Sequence, residues 1–327
     1  MAEYKTIKGF KVESLASDPT ANEGQVWYNT TSNALKYDAI GAGAWASGGN
    51  VNTPRGDSSG VGIVSAALIL GGQPTPNYKI MESYDGTSWT TGTSMSDNHY
   101  SVAGSAGTQT AAIIFGVWPA GNQTETWNGS SWSEGGNLNT GRDDGYSATK
   151  GTVTAALCAG GGVPPTTPAP ATKSLVELYN GTAWTETTNM SASKRGGGGA
   201  GIQTDALCWS GYPPSTGTEA WNGSAWTELT DMGTSRYHFG NSGSVSTSAM
   251  AAGGTYPPGN RLTIVEAWNG SSWTEVADLS SEREDCGGGG TPTAAFVATG
   301  LGPAGTGTNV TEEWDGAPAV VKTVTVS

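Results

Sequence analysis

A ten-residue pattern, complete at Glu266-Ala267-Trp268-Asn269-Gly270-Ser271-Ser272-Trp273-Thr274-Glu275, returns in related form seven times along the chain. The leading aromatics are Tyr37, Tyr84, Trp127, Tyr179, Trp221, Trp268 and Trp314, at intervals of 47, 43, 52, 42, 47 and 46 residues. A period of roughly 40 to 50 residues made of strand-like segments restricts the fold to one supersecondary unit repeated, and for strands that unit is a propeller blade.

The unit reads as two strands around an Asn-Gly turn, the dipeptide that supplies the positive-φ positions of a tight hairpin. A glutamate stands two residues before the aromatic in six copies: Glu82, Glu125, Glu177, Glu219, Glu266 and Glu312. That spacing puts carboxylate and ring on one face of a strand. A tryptophan follows on the next strand: Trp45 in the degenerate first copy, then Trp89, Trp132, Trp184, Trp226 and Trp273. Ten or eleven residues later comes an arginine, Arg55, Arg142, Arg195, Arg236 or Arg283, with His99 in that place in the second unit. A glycine-rich strand and an apolar strand ending in Gly, such as Ala66-Ala67-Leu68-Ile69-Leu70-Gly71-Gly72, complete four short strands per repeat. The glycine-rich strand belongs innermost, where small residues let strands converge on a crowded axis.

The Gly-Gly doublet, the aromatic of the third strand, the Trp of the fourth and the Arg before the next first strand resemble the kelch family of β-propellers, which includes the galactose-oxidase propeller. The resemblance covers residues 24–327 and implies an all-β fold. It specifies little about activity, because one fold hosts many. Near-complete blades are expected at 54–91, 98–134, 141–186, 194–229, 235–276 and 282–326. Residues 24–46 form a partial seventh, completed by the C-terminus. Six blades plus an N-terminal hairpin is the alternative. In the last blade, which lacks the second Trp, Ala319 to Val326 is the expected outer strand, being rich in β-branched residues.

The chain has 327 residues, which a single propeller can use up. Its 51 glycines would suggest low complexity were it not for 13 tryptophans and the strict repeat. A net charge of −13 provides no basic patch to neutralise phosphates, so nucleic acid and anionic membrane are disfavoured as partners. No apolar run approaches the roughly 18 residues of a spanning helix. Met1 to Gly9 lead into no apolar signal-peptide core, so synthesis in a cytoplasm without the usual export route is expected. Cys158 and Cys208 share one second-strand position and read, with Cys286, as buried small apolar residues.

Residues 1–23 lie outside the repeat, as a tail or an anchoring arm. Lys5, Lys8 and Lys11 make them the locally basic segment, with Ile7, Phe10, Val12 and Leu15 as strand or docking residues. Gly24-Gln25-Val26-Trp27-Tyr28-Asn29-Thr30-Thr31-Ser32-Asn33-Ala34-Leu35-Lys36-Tyr37 resembles a hairpin found near the start of tailed-phage fibre and other virion proteins. With the preceding Tyr-Lys-Thr-Ile-Lys-Gly-Phe-Lys-Val segment it resembles marine-phage structural proteins carrying kelch-like repeats.

The register set of Glu and Arg is architectural, each carboxylate expected to pair with an arginine or with backbone N–H groups. Arg55-Gly56-Asp57 matches an integrin-ligand tripeptide but falls where every repeat has its Arg, and where Asp143, Asp144, Glu284 and Asp285 follow similarly. Sequons such as Asn128-Gly129-Ser130 are turn residues. The runs Gly196 to Gly199 and Gly287 to Gly290 lack the Lys-Ser/Thr and helix of a phosphate loop. His99 and His238 are the whole imidazole supply and lie three repeats apart, and the C-terminal domain that supplies one ligand of the galactose-oxidase copper site is not expected here, so the copper site that resemblance would imply is set aside. No catalytic, cofactor or metal residues are assigned.

Strand alternation places the variable second-to-third-strand connections on one face with the crossings that carry the arginines. These connections are 162–173, Val117 to Gln123, Gly211 to Gly217, Thr255 to Leu262 and Leu301 to Asn309. Loops on a rigid scaffold are where binding is usually placed. The candidate binding face is His99, Tyr100, Trp118, Tyr146, Tyr212, Tyr237, His238 and Tyr256. The resemblance implies a non-enzymatic phage virion protein, attached through residues 1–23 to other virion proteins. Its face would bind a host receptor, a glycan or a neighbouring virion protein. The alternatives are a capsid or tail decoration or connector piece and, more remotely, a glycan-active enzyme or oxidase.

Overall fold

The structure is a computed structural model and describes residues 12–19, 26–40, 43–73, 78–118, 121–163, 171–257, 259–316 and 319–324. Seven four-stranded sheets occur among them, and six belong to a compact unit spanning Trp45–Trp314. The seventh belongs to a separate unit, Met1–Ala44 with Asp315–Ser327.

The six sheets are blades of one β-propeller. Blade 1 runs Ser59–Ile63, Ala66–Leu70, Met81–Tyr84, Trp89–Thr91. Blade 2 runs Gly104–Thr108, Ala111–Val117, Gly121–Trp127, Trp132–Glu134, and blade 3 Tyr146–Ser147, Ala156–Ala159, Val176–Tyr179, Trp184–Glu186. Blade 4 is Gly198–Ile202, Asp205–Trp209, Thr218–Trp221, Trp226–Leu229, and blade 5 Gly240–Val245, Ser248–Ala252, Val265–Trp268, Trp273–Glu275. Blade 6 is Gly287–Thr291, Ala294–Ala298 and Thr311–Asp315, with Ala44–Ser47 outermost.

Each inner strand abuts the next, and that of blade 6 abuts that of blade 1. Seven four-stranded sheets therefore stand where seven blades are expected, while the ring itself closes with six, the arrangement the sequence also admits. The hydrophobic core says the same, as six clusters, one between each pair of adjacent blades. The two-residue period of the second strands feeds it: in blade 1, Leu68 and Leu70 face blade 2, while Ala67 and Ile69 face Phe296 and Ala298 of blade 6.

The last blade corrects one expectation. Ala319–Thr323 does not form its outer strand; it pairs antiparallel with Ala34–Ile40. Ala44–Ser47 takes the place instead, and Trp45 supplies the outer-strand tryptophan that the sixth repeat lacks, 5.4 Å from Trp314. Joining the two ends of the unit in one blade removes a free edge. In the other unit, Val26–Asn29 pairs with Ala34–Ile40 as the expected hairpin, and Glu13–Leu15 adds in parallel. Asp18 accepts from Trp27 Nε1, Asn29 Nδ2 and Lys36 Nζ at 3.1, 2.6 and 2.7 Å, fixing that hairpin. The expectations for residues 1–11 and 20–23 lie outside the described residues.

The Asn-Gly turns are a second correction. The pairs Trp127↔Trp132 and Trp268↔Trp273 close four-residue loops, and only the glycine has positive φ (94° at Gly129, 93° at Gly270). Asn128 Oδ1 accepts the N–H groups of Ser130 and Ser131, both at 2.9 Å, so the asparagine acts through its side chain.

The repeated glutamates are fully buried clamps. Glu82 accepts from the N–H of Asn52 and Thr53 and from Arg55, at 2.7, 3.2 and 2.5 Å. Glu125 does the same with Ser96, Asp97 and His99; Glu177 with Asn139, Thr140 and Arg142; Glu266 with Gly233, Thr234 and Arg236. Glu312 takes Ser280 N–H and Arg283. In blade 4 the expected partner, Arg195, is replaced. Lys194 lies 3.2 Å from Glu219, and register assigns it the cation position, one residue earlier. Each carboxylate thereby fastens the segment that crosses from the preceding blade.

Inner-strand glycines set blade spacing. A Cβ on Gly199 would lie 2.2 Å from Ser147 O of blade 3, and one on Gly60 2.5 Å from Gly288 O of blade 6. We expect Gly199→Ala to lower unfolding free energy by about 1–3 kcal/mol through overpacking. Gly302→Ala, with nothing within 4 Å of its added methyl, should stay within about 0.5 kcal/mol. Urea denaturation of the two variants checks this.

Candidate functional site

The three residues that begin each crossing's descent into an inner strand are in register. The clamped cation position is Arg55, His99, Arg142, Lys194, Arg236 and Arg283. Next come Gly56, Tyr100, Asp143, Arg195, Tyr237 and Glu284, and then Asp57, Ser101, Asp144, Gly196, His238 and Asp285. All six residues of the last set have positive φ, between 44° and 66°, and five of them are not glycine. Left-handed backbone is uncommon outside glycine and clusters where surroundings over-determine it.

Here the surroundings are a belt of backbone hydrogen bonds from blade to blade. Ser101 N–H donates to Asp57 O, Asp144 to Ser101, Gly196 to Asp144, His238 to Gly196 and Asp285 to His238, at 3.2, 3.3, 2.6, 2.6 and 2.7 Å. This collar rims a cavity of about 100 Å³ at the propeller axis, lined by Asp57, Ser101, Asp144, His238, Asn241 and Asp285 among others.

The cavity is blind. The inner strand of blade 3 stops at Ser147, and Ala148–Gly151 turns across the axis at the far end. Lys150 N–H donates to Gly201 O, Lys150 Nζ to Gly62 O and Thr149 Oγ1 to Gly243 O, at 2.9, 3.1 and 3.0 Å. This segment thus ties blade 3 to blades 1, 4 and 5.

Charge at the mouth is unevenly matched. His238 Nδ1 stands 2.8 Å from Asp285 and Nε2 3.4 Å from Asp144. Burial alone would lower its pKa, but the two carboxylates hold it well above the usual value, so it is an imidazolium joining blades 3, 5 and 6. Asp57 accepts from Ser101 Oγ and Gln73 Nε2 at 3.1 and 2.9 Å. Burial, then the carboxylates of Asp285 and Asp144, push its pKa up to about 7. Asp143 is fully buried with neither carboxylate oxygen hydrogen-bonded, 3.9 Å from Arg195 Nη1. Burial and Asp144 raise it to about 7 as well.

The loop-bearing face is built as expected from crossings paired with second-to-third-strand connections: Gly56 bridges Gln73, Asp143 Gly162, Arg195 Tyr212, Tyr237 Thr255 and Glu284 Leu301. Tyr212 and Tyr237 meet edge to face at 5.5 Å, and Tyr237 meets the His238 ring at 4.8 Å. Arg195, released from the clamp by Lys194, lies 5.7 Å from the Tyr212 ring. Tyr100 stacks on Tyr78 at 4.6 Å. Trp118 follows in the blade 2 connection, its N–H donating to Tyr100 O, and Tyr256 is exposed in the blade 5 connection.

Two candidates do not belong to this surface. His99 is fully buried on Glu125, because it occupies a cation position. Tyr146 is an inner-strand residue whose hydroxyl donates to Ser210 O inside the protein. Of loop 162–173, residues 164–170 lie outside the described residues. Asp57, Asp144 and Asp285, by contrast, reach the mouth though in the sequence they read only as repeat register; an acid two residues after the cation was the available signal. Among the described residues, no group of three or more His, Cys, Asp or Glu side chains is placed to hold a metal ion.

No family model matches the chain, and no curated protein does. Solved structures do. The one titled "Structure of YjhT" superposes with a TM-score of 0.65 at 11% identity, covering 84% of this chain and 99% of that one. At that identity the likeness establishes the β-propeller fold alone.

The raised pKa values give a signed pH dependence. A carboxyl whose folded pKa is lifted from about 3.9 to about 7 favours the fold while protonated, so its contribution falls as pH rises between those values. The His238 imidazolium contributes fully below about 6.5 and is lost as pH passes its higher folded pKa. Asp57→Asn should therefore gain stability relative to the wild type as pH rises from about 4 to about 7 and hold that gain above it. Unfolding midpoints of both proteins across that range test the sign.

Proposed function

We propose that this chain is a non-enzymatic, kelch-type propeller protein of a tailed-phage virion whose loop-bearing face attaches to a receptor on the host bacterium. The observation carrying the reading is the mouth: a blind polar cavity flanked by tyrosines, presented by a six-bladed ring with its crossings clamped. Concave sites with convergent polar groups and perturbed pKa values are the usual place for a ligand. The resemblance of residues 24–37 to phage hairpins supports placement on a virion. Residues 1–23 would then attach the chain to other virion proteins.

A second reading has one feature in its favour. Asp57, with a pKa of about 7 at the cavity, has the proton affinity of a general acid or base. A glycan-active enzyme would release reducing ends from polysaccharide, and that release would vanish in Asp57→Asn. A decoration or connector piece would alter particle assembly when changed and leave adsorption alone.

The attachment reading is tested by incubating host cells with the purified protein before adding the phage that encodes it. Dose-dependent retention of free phage is expected, weakened by replacing 162–173 with a short Gly-Ser loop. Undiminished adsorption, with the protein present in virions, would leave the decoration reading.

A further inference from the structure

Two aromatic pairs stand on opposite sides of the mouth. Tyr100 immediately precedes Ser101 of the collar, and Tyr237 immediately precedes His238. Their blades, 2 and 5, are three steps apart in a ring of six. Each pair is braced. Tyr212 exchanges backbone hydrogen bonds with Arg195 at 2.9 and 2.7 Å, and Tyr237 with Thr255 at 3.0 and 2.8 Å. Yet Tyr212 keeps 38% exposure. Rigid rings with polar tips give contact area at little entropic cost.

The chemistry between the pairs is hydroxylic and acidic. Ser101 and Asn241 offer neutral polar groups, and Asp57, Asp144 and Asp285 offer acceptors. Asp144, Glu284 and Asp285 match the cations Arg195, His238 and Arg261 at and beside the mouth, and Asp57 and Asp143 are partly ionised near neutral pH. An anionic ligand would find no net positive charge there. A stable protein interface would need a contiguous cluster of apolar or aromatic anchors. Among the described residues, the large exposed apolar side chains of this face are Tyr212 and Tyr256, while Ile63, Ile202 and Val245 end inner strands at the other face.

Accepting the attachment reading of this face, we infer that its ligand is a neutral, extended oligosaccharide. The chain lies across the mouth, with pyranose C–H faces stacked on Tyr212/Tyr237 at one end and on Tyr78/Tyr100 at the other. Hydroxyls between them reach the collar carboxylates. His238 joins the two parts of the site, touching the Tyr237 ring and bonding both Asp144 and Asp285.

The test is calorimetric titration of the full chain with dimers and hexamers of maltose, chitin and β-galactan series, and with hexagalacturonate as the anionic probe. At least one neutral hexamer should bind about tenfold or more tighter than its own dimer, and about tenfold tighter than hexagalacturonate. Tyr100→Ala and Tyr212→Ala should each abolish the length advantage, whereas Tyr212→Phe keeps it. Matching unfolding midpoints exclude misfolding. Preference for the anionic probe, affinity independent of length, wild-type binding by both alanine variants, or no binding of any neutral hexamer overturns the inference. Adsorption competition with the same preparations separates the two claims. A protein that blocks adsorption but binds no neutral hexamer retains attachment and loses the glycan. One that binds but does not block does the reverse.

Discussion

A buried carboxylate holding a cation and one or two backbone N–H groups is the interaction on which this propeller depends. An isolated glutamate in the blade interior would be prohibitively costly to desolvate. With its lone pairs filled by two amides and a guanidinium, imidazole or ammonium, it becomes a fastening point. The fastened object is the crossing between blades, a stretch with no ladder of its own. Because the cation is the residue from which the chain enters the inner strand, fixing it fixes the two residues that follow. Those two form the aromatic and charged rim and the left-handed collar.

Around that clamp the blades are spaced by opposite requirements at the two radii. At the axis, backbone lies against backbone, as the Gly199 and Ser147 contact requires. At the periphery the gap widens and tryptophans fill it. Their indole N–H groups alternate in target around the ring. In blades 1, 3 and 5, Trp89, Trp184 and Trp273 donate to Thr311, Thr124 and Thr218 hydroxyls of the preceding blade. In blades 2, 4 and 6, Trp132, Trp226 and Trp45 donate to carbonyls of Thr93, Thr188 and Ala277 in the crossings. Every interface therefore has both an apolar cluster and a directional bond.

Much of this was legible in the sequence because it repeats. The Glu, aromatic, Trp and cation offsets gave four strands per unit, their order and the pairing of charge, and Cys158 and Cys208 were correctly read as buried. What failed to show was either local ambiguity or long range. Lys194 and Arg195 are adjacent cations, and only the register of the whole triplet says which is clamped. The choice of Ala44–Ser47 over Ala319–Thr323 as the outer strand of blade 6 is made across nearly the length of the chain. The turn across the axis at Ala148–Gly151 departs from the repeat pattern. The mouth was visible only in pieces, since the acids at Asp57, Asp144 and Asp285 recur two residues after the cation but converge only through ring closure.

The claim that the clamp holds the mouth is tested most directly by native-state hydrogen exchange on the wild type and Glu266→Ala. Losing a buried partner is worth about 3 kcal/mol or more, which corresponds to roughly two powers of ten in an opening equilibrium. The account predicts that Tyr237 and His238 amides, bonded to Thr255 O and Gly196 O, exchange on the order of a hundredfold faster in the variant, while blade 2 amides keep their protection. Unchanged protection at Tyr237 and His238, or an equal loss in all six blades, would contradict it.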